Sequence, residues 1–442
     1  MVTQSSNTQN SSLWIESGQQ REGPVARVAM VAAIEGQYSF AIPDQLVEKV
    51  EPGKRLLVPF GKNRKPSPAF CIAVGREIWT STLKPVTDVL DRERLLSNTL
   101  IDLGLWMSRY YCCPLGRTLA AMVPEPIRKQ SGFRTIRTYR LTGQQLPKLT
   151  AKRQAVINAL SAHPEGLDQD TLITNSKTSK GIISAMTKAG LLEMKINRQP
   201  AAAPDFDRPG IEPTFELNNY QKLALEHIIS MFDENDFRTL LLYGVSGSGK
   251  TEVYIRSIRA VLAKDKQAIL LVPEIALTTQ IVDRLARRFD NVAVIHSGLT
   301  GVQRSLTYSA IARGEKRVVI GTRSAVFAPC LNLGLIVIDE PQESSFKNQQ
   351  APRFHTREVA VKRAQLESIP IVLGSATPSL ETWYNCERLE HFQRITLPKR
   401  IEDLPMPTVE FVDMHIEQRQ RRGLHLLSQK MEQYLGETLA AG

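Results

Sequence analysis

Leu240-Leu241-Leu242-Tyr243-Gly244-Val245-Ser246-Gly247-Ser248-Gly249-Lys250-Thr251 is the stretch that decides the fold. An apolar run leads into glycines, and a Lys-Thr pair then opens a segment with helical spacing over residues 252–262. That order is a strand, a phosphate-cradling loop and a helix. Glycines let backbone N–H groups turn toward phosphate oxygens, and the helix N-terminus adds favourable partial charge. In this reading Gly244, Gly247, Ser248 and Gly249 form the cradle, Lys250 reaches the β- and γ-phosphates of ATP, and the Thr251 hydroxyl takes Mg²⁺. A plain glycine-rich turn leaves the flanking strand and helix unexplained.

Working outward, Leu335-Ile336-Val337-Ile338 is a second apolar run, and it ends in Asp339-Glu340. Exposed strand ends are often acidic, so the pair means little alone. Downstream of a phosphate loop it supplies the missing half of the site: Asp339 for Mg²⁺ and Glu340 to polarise the attacking water. Pro341 is expected to keep Glu340 extended. Gly374-Ser375-Ala376-Thr377-Pro378 follows another buried run, where Ser375 and Thr377 either link the nucleotide site to a bound strand or simply turn the chain. Gln221, one helix before the loop, either reads an adenine edge or is a solvated surface amide.

Further apolar runs at residues 268–272, 292–295, 318–320 and 371–373 alternate with amphipathic helices. Continuous Leu/Ile/Val strands between helices predict a parallel sheet covered on both faces, an α/β lobe. Thr278, Thr322, Arg323 and Ser324 fall just past strand ends, where open α/β sheets place ligands, and carry donors suited to phosphates. Phe346, Lys347, Phe354, His355 and Arg357 form an aromatic and basic loop that either stacks bases or packs on the domain. His296 reads as structural.

The N-terminal half differs. Residues 1–23 are Ser, Thr, Asn and Gln with few aliphatics and are expected to form a disordered arm. Residues 25–33, 38–42, 55–60 and 69–74 read as strands divided by Pro and Gly turns, a small β-rich domain. Leu96, Leu100, Leu103, Trp106 and Met107 have helical spacing. The basic stretch up to Arg140 reads as a linker or an exposed strand. Residues 149–198 then give three helices and a β-wing, a winged helix whose third helix carries Lys180 and Lys188; such a helix enters the major groove, or the unit binds protein instead.

The chain has 442 residues, so about three domains are expected. Hydrophobic residues at 42% and charged residues at 23% exclude a disordered or fibrous chain. No apolar run is long enough to span a membrane, and the first residues do not read as a secretory signal. Five cysteines without a CxxC pair exclude a disulfide scaffold, give no zinc site and suggest a cytoplasmic setting; Cys71, Cys112, Cys113, Cys330 and Cys386 read as core residues. Lys plus Arg outnumber Asp plus Glu by 56 to 45, and residues 117–200 alone hold 14 basic against 5 acidic side chains. Charge concentrated on one segment is the footprint of a polyanion.

With these motifs in order, the chain resembles the primosomal protein N′ (PriA) family, bacterial replication-restart helicases of superfamily 2. The resemblance runs from about Pro24 to the last residue, on GVSGSGKTEVY (244–254), LVPEIALTTQ (271–280), HSGL (296–299), GTRSAVFAP (321–329), VIDE (337–340), SSFKNQQAPRFHTREVA (344–360) and GSATPSLETW (374–383). It implies an ATP-dependent 3′–5′ DNA helicase that assembles a primosome at stalled or branched forks. Its partners would be DNA forks, single-stranded DNA, other primosome proteins and single-stranded-DNA-binding protein, with no membrane. The implied organisation is a 3′-end DNA-binding domain (24–122), a linker (123–146), the winged helix (147–200), a second linker (201–212), a RecA-like P-loop lobe (213–398) and a connector (399–442).

The family's 3′-end pocket falls on Tyr38, Ser39, Gly61 and Lys84, with Ser39 where the family has Asp. Gln342 stands where the family has His, in the position coupling hydrolysis to DNA together with Ser375 and Thr377, so altered coupling is expected. The family continues into a zinc region and a second lobe, whose ligands and motifs this chain does not contain. The expectation is therefore the N-terminal part of the helicase. The alternative is a fork-binding module that binds ATP without effective turnover. A motor acting on RNA is disfavoured by the β-rich domain and winged helix.

Overall fold

The computed structural model describes residues 21–32, 34–61, 65–79, 83–91, 93–124, 133–142, 150–200, 215–234, 236–274, 285, 287–401, 408–421 and 425–441. Residues 1–20 of the arm expected at 1–23, the linker at 201–212 and Thr278 lie outside them, while residues 21–23 belong to a strand. The described chain forms two units, 1–398 and 399–442.

The first unit begins with β1 (Arg21–Met30), β2 (Tyr38–Ala41), β3 (Arg55–Phe60), β4 (Lys65–Trp79) and β5 (Asp88–Val89), antiparallel in the order β2-β1-β4-β3-β5. The sheet closes on itself. Ala41 N donates to Lys84 O (3.0 Å), Val86 N to Ala41 O (2.8 Å), and Thr87 N to Leu57 O (2.8 Å). Closure removes the exposed edges that a small open sheet would present. Two helices follow, α1 (Asn98–Tyr110) and α2 (Leu115–Met122). Ser97 caps α1 by accepting from Leu100 N at 3.2 Å, and Leu100, Leu103 and Met107 line its buried face. Each such side chain contributes about 1.5–3 kcal/mol of burial. The left-handed residue Cys112 (φ 47°) turns the chain into α2 and is exposed, unlike Cys71, Cys113 and Cys330. The expectation that all five cysteines are core residues therefore fails at the helix–helix turn.

The basic module comprises β6 (Phe133–Leu141), α3 (Ala151–Ser161), β7 (Leu167–Asp168), α4 (Gln169–Ser176), α5 (Lys180–Lys188) and β8 (Leu192–Pro200), with strand order β7-β6-β8. Residues 133–141 fall in the stretch read as a linker or an exposed strand; they pair with β8 along their whole length, so the strand alternative holds and this strand joins the module. Tyr139, Val156, Leu160, Leu172, Ile183 and Met186 form the core.

The lobe runs α6 (Asn219–Asp233), β9 (Thr239–Gly244), α7 (Lys250–Ala263), β10 (Gln267–Leu271), β11 (Val292–Ile295), α8 (Gly301–Ala312), β12 (Val318–Gly321), β13 (Leu333–Asp339), α9 (Thr356–Glu367), β14 (Ile371–Ser375), α10 (Leu380–Arg388) and β15 (Phe392–Leu397). Its seven strands are all parallel, in the order β11-β12-β10-β13-β14-β9-β15. Successive residues feed opposite cores. Leu241, Ile269, Leu271, Ile336 and Ile338 join one, and Leu240, Leu242, Leu270, Leu335 and Val337 join the other. Burial on both faces is why these strands read as unbroken apolar runs. The first core also contains Leu100, Leu103, Met107 and Leu119, so α1 and α2 belong energetically to the lobe as much as to the β-rich domain. Tyr111 adds a polar tie, its hydroxyl accepting from His355 N at 3.2 Å.

The second unit holds α11 (Met414–Arg421) and α12 (Gln429–Ala440), neither of which buries a residue, joined by an Arg421–Glu432 ion pair at 2.7 Å. Among the described residues no helix is long and apolar enough to cross a membrane.

Candidate nucleotide site and nucleic-acid surfaces

The loop between β9 and α7 turns on Gly247 (φ 80°) and Gly249 (φ 82°), conformations that cost a side-chain-bearing residue about 1–2 kcal/mol. It delivers Lys250 to the first turn of α7, where the first helical N–H groups have no partner within the helix. Lys250 is buried. Its Nζ donates to Gly244 O at 2.9 Å and lies 3.4 Å from Glu340 Oε1. Thr251 is exposed beside it. The Ser248 hydroxyl is buried without a hydrogen-bond partner, an unmet group inside the cradle.

Gln221 is not the solvated surface amide that one reading expected. It is buried, as the third residue of α6, and forms a capping box with Asn218. Its Nε2 donates to Ser248 O at 2.9 Å, so the amide braces the loop from behind. Asn218 N occupies the side-chain oxygen at 2.9 Å.

β13 and β14 are neighbours, and Asp339 pairs in register with Gly374. The Asp-Glu pair and the Ser375–Thr377 turn therefore emerge side by side at the carboxyl ends of the strands, the usual ligand edge of such sheets. Asp339 is partly buried. Its carboxyl is pushed up to about 6 by burial, then by the charge of Glu340, against the opposing influence of the Tyr254 hydroxyl and Lys250. Glu340 goes the other way. Burial raises it, but Gln342, Lys250, Ser375 and the Ala376 amide together hold it below the usual carboxylate range.

The expected extended backbone at Glu340 is incorrect: its φ is 46°, in the left-handed region. Pro341 disfavours a right-handed conformation at the preceding residue, while Glu340 N still donates to Gly374 O at 2.7 Å and so continues the parallel ladder past Asp339. The turn aims the carboxylate across β14.

There it meets the coupling residues. Gln342 Nε2 donates to Glu340 Oε2 at 2.8 Å and to Thr377 Oγ1 at 3.2 Å. The Ser375 hydroxyl is in reach of both Glu340 Oε2 (3.0 Å) and Gln342 Oε1 (2.8 Å). Ala376 N donates to Glu340 Oε2 at 3.3 Å, and Thr377 N to Ser375 Oγ at 2.9 Å. Gln342, Ser375 and Thr377 thus form one network on the Glu340 carboxylate.

One residue of the site escaped the sequence reading. Tyr254 is fully buried on α7, and its hydroxyl donates to Asp339 Oδ1 at 3.1 Å. The available signal was its place one helical turn after Lys250 on the same face.

The residues expected to meet nucleic acid lie in three places. Tyr38, Ser39 and Lys84 sit at one rim of the closed sheet; the Tyr38 ring meets Phe60 edge-on at 5.0 Å, which brings Gly61 to the same rim. Lys180 and Lys188 are both exposed on α5. Thr322 and Arg323 line a cavity of about 370 Å³ with His296, Arg304, Asn348 and Met122. Arg323 is partly committed there, donating to Lys347 O at 2.9 Å. In the aromatic loop Phe346 and Phe354 are buried in the lobe core, which decides for packing over stacking at those two positions. Arg357 instead donates to Ser379 Oγ at 2.6 Å. The His296 ring nitrogen accepts from Gly298 N at 3.1 Å, a structural turn contact.

Comparison with known proteins agrees with this organisation. Residues 27–124 match the family model of the PriA 3′DNA-binding domain (3′BD), and residues 218–385 match that of the DEAD/DEAH box helicase. The Replication restart protein PriA of Bacillus subtilis is 32% identical across 92% of this chain and 59% of its own length. That of Chlamydia pneumoniae is 31% identical across 94% and 57%, and that of Haemophilus influenzae 33% across 85% and 52%. The chain thus spans between 52% and 59% of the length of these relatives. Among solved structures, the Sulfolobus solfataricus SWI2/SNF2 ATPase core in complex with dsDNA is 18% identical with a TM-score of 0.28, over 37% of this chain and 32% of that one; at that level the strand order, not the likeness, carries the fold. The two domain models follow one another along the chain, and the similarity to PriA proteins extends over 92% of its length.

Proposed function

We propose that this chain is the DNA-binding and nucleotide-binding part of an ATP-dependent 3′–5′ DNA helicase of replication restart, acting at branched forks with other primosome proteins. The observation that carries the reading is the meeting of Lys250 and Glu340 at 3.4 Å beside Asp339, on one edge of the sheet. Lys250 would meet the β- and γ-phosphates, leaving its resting contacts with Gly244 O and Glu340. The unmatched Ser248 hydroxyl and the free end of α7 fit an incoming polyphosphate. Asp339 and Thr251 would hold Mg²⁺, which supplies charge neutralisation at the phosphates when bound. One carboxylate and one hydroxyl suit an ion that takes its other ligands from phosphate and water, and among the described residues no cluster of three or more His, Cys, Asp or Glu offers a full protein cage.

Glu340, held ionised, would orient the attacking water and accept its proton. Its hydrogen bonds to Ser375 and Gln342 would pass a change at the nucleotide to Thr377 on the surface. For DNA, the rim bearing Tyr38, Ser39, Gly61 and Lys84 would take the 3′ end, α5 with Lys180 and Lys188 the duplex, and Thr322 and Arg323 the translocated strand.

The test is equilibrium binding of ATP with Mg²⁺ and of forked DNA to the full chain and to Lys250→Ala. The variant should lose at least about tenfold in nucleotide affinity, a loss of about 1.4 kcal/mol, while retaining fork binding. Equal nucleotide affinity in both proteins would reject the assignment.

A further inference from the structure

Lys250 and Tyr254 lie one turn apart on α7, and each faces one member of the Asp-Glu pair: Lys250 the Glu340 carboxylate, Tyr254 the Asp339 carboxylate. We infer that Tyr254 is a positioning residue that fixes the Asp339 carboxylate for the divalent cation. This rests on the nucleotide-site reading above.

Three observations carry it. The Tyr254 hydroxyl is buried and donates to Asp339 Oδ1, leaving the other carboxylate oxygen for a ligand. The hydroxyl sits in space that only glycine at 374 leaves open, because a Cβ there would lie 1.4 Å from it. Gly374 is also the register partner of Asp339. A tyrosine filling volume alone needs no gap cut for its oxygen beside the one carboxylate the site depends on. The hydrogen bond makes the rotamer of Asp339 a property of α7, the helix that also carries the phosphate contact. Cation and phosphate ligands are therefore set by one rigid element. Partners of this outer kind typically change metal affinity by 10–100-fold when removed.

The experiment uses the full chain and Tyr254→Phe, which keeps the ring and removes only the hydroxyl. ATP binding is measured in EDTA and again across a Mg²⁺ titration, with thermal unfolding as a check on folding. We expect unchanged affinity in EDTA and about a tenfold higher Mg²⁺ concentration for half-maximal enhancement. In an Asp339→Asn background, Tyr254→Phe should change the Mg²⁺ response no further, because its effect passes through that carboxylate. A Mg²⁺ midpoint within about twofold of the parent, even with lowered stability, overturns the inference while leaving the nucleotide site intact. A parent chain that binds ATP equally with and without Mg²⁺ overturns both. If Tyr254→Phe does not fold, the Mg²⁺ response of Tyr254→Trp decides: a parent-like midpoint overturns the inference, and a raised one supports it.

Discussion

Replacing Asp339 with Asn should stabilise the protein while disabling its site. The Asp339 carboxyl is raised from 3.8 to about 6, chiefly by burial and then by the neighbouring Glu340 charge. A folded pKa above the unfolded value means that the folded lobe holds the proton more tightly. The associated stability is fully present below about pH 4 and is lost as pH rises through about 6. At pH 7.5 the ionised, partly buried carboxylate thus costs up to about 3 kcal/mol. An amide keeps the shape and the acceptor for Tyr254 without the charge. In a lobe of this size, about 1 kcal/mol moves the unfolding midpoint by roughly 2–4 °C, so Asp339→Asn should raise it by several degrees at pH 7.5 and hardly at pH 4. The assay is calorimetric unfolding of the full chain and the variant in EDTA at both pH values, with Mg²⁺-dependent ATP binding measured in parallel. A variant less stable than the parent at pH 7.5, or one equally stabilised at both pH values, would refute the argument that burial of this charge is a cost the site sustains for function.

Three other substitutions separate bracing from contact. Gln221→Ala removes both the capping box of α6 and the buried bond to Ser248 O, and should destabilise the chain by about 1–3 kcal/mol while weakening ATP binding through the loop, read by urea unfolding and nucleotide titration. Lys180→Ala and Lys188→Ala should each lower the slope of log affinity for forked DNA against log salt by about one, with ATP affinity untouched; unchanged slopes would remove α5 from the DNA surface.

The legible parts of the fold were those where one physical cause dominates. Six strands of the lobe are buried on both faces, so each reads as an apolar run. The seventh, β15, was missed because it is the edge strand beside β9, and its burial alternates along Phe392–Leu397. An edge strand half in solvent gives only a weak period-two pattern. The phosphate loop and the Asp-Glu strand end were recognisable because backbone requirements fix glycine, lysine and carboxylate in order. Gln221 and Tyr254 were not, because their partners, Ser248 and Asp339, lie 27 and 85 residues away and the pairing depends on packing of α6 and α7.

Glu340 shows why the finest level of the site resists local rules. A residue before proline is steered away from the right-handed helical region, so extended backbone was the reasonable expectation. Extended backbone would carry the side chain onward along β13. The site instead needs the carboxylate turned sideways across β14, toward Ser375, Gln342 and the Ala376 amide. The left-handed conformation achieves this at a cost of about 1–2 kcal/mol for a non-glycine residue. Glycine would avoid the strain but would remove the carboxylate. The three donors on Oε2 offset the cost, since hydrogen bonds to a charged group are worth about 1.5–3 kcal/mol each. The strain therefore depends on β14 being in place, and its Ser375 and Ala376 donors come from the segment that leads to Thr377 at the surface. Any motion that draws that segment away would release both the backbone turn and the aim of the carboxylate together, which ties the orientation of Glu340 to the position of β14.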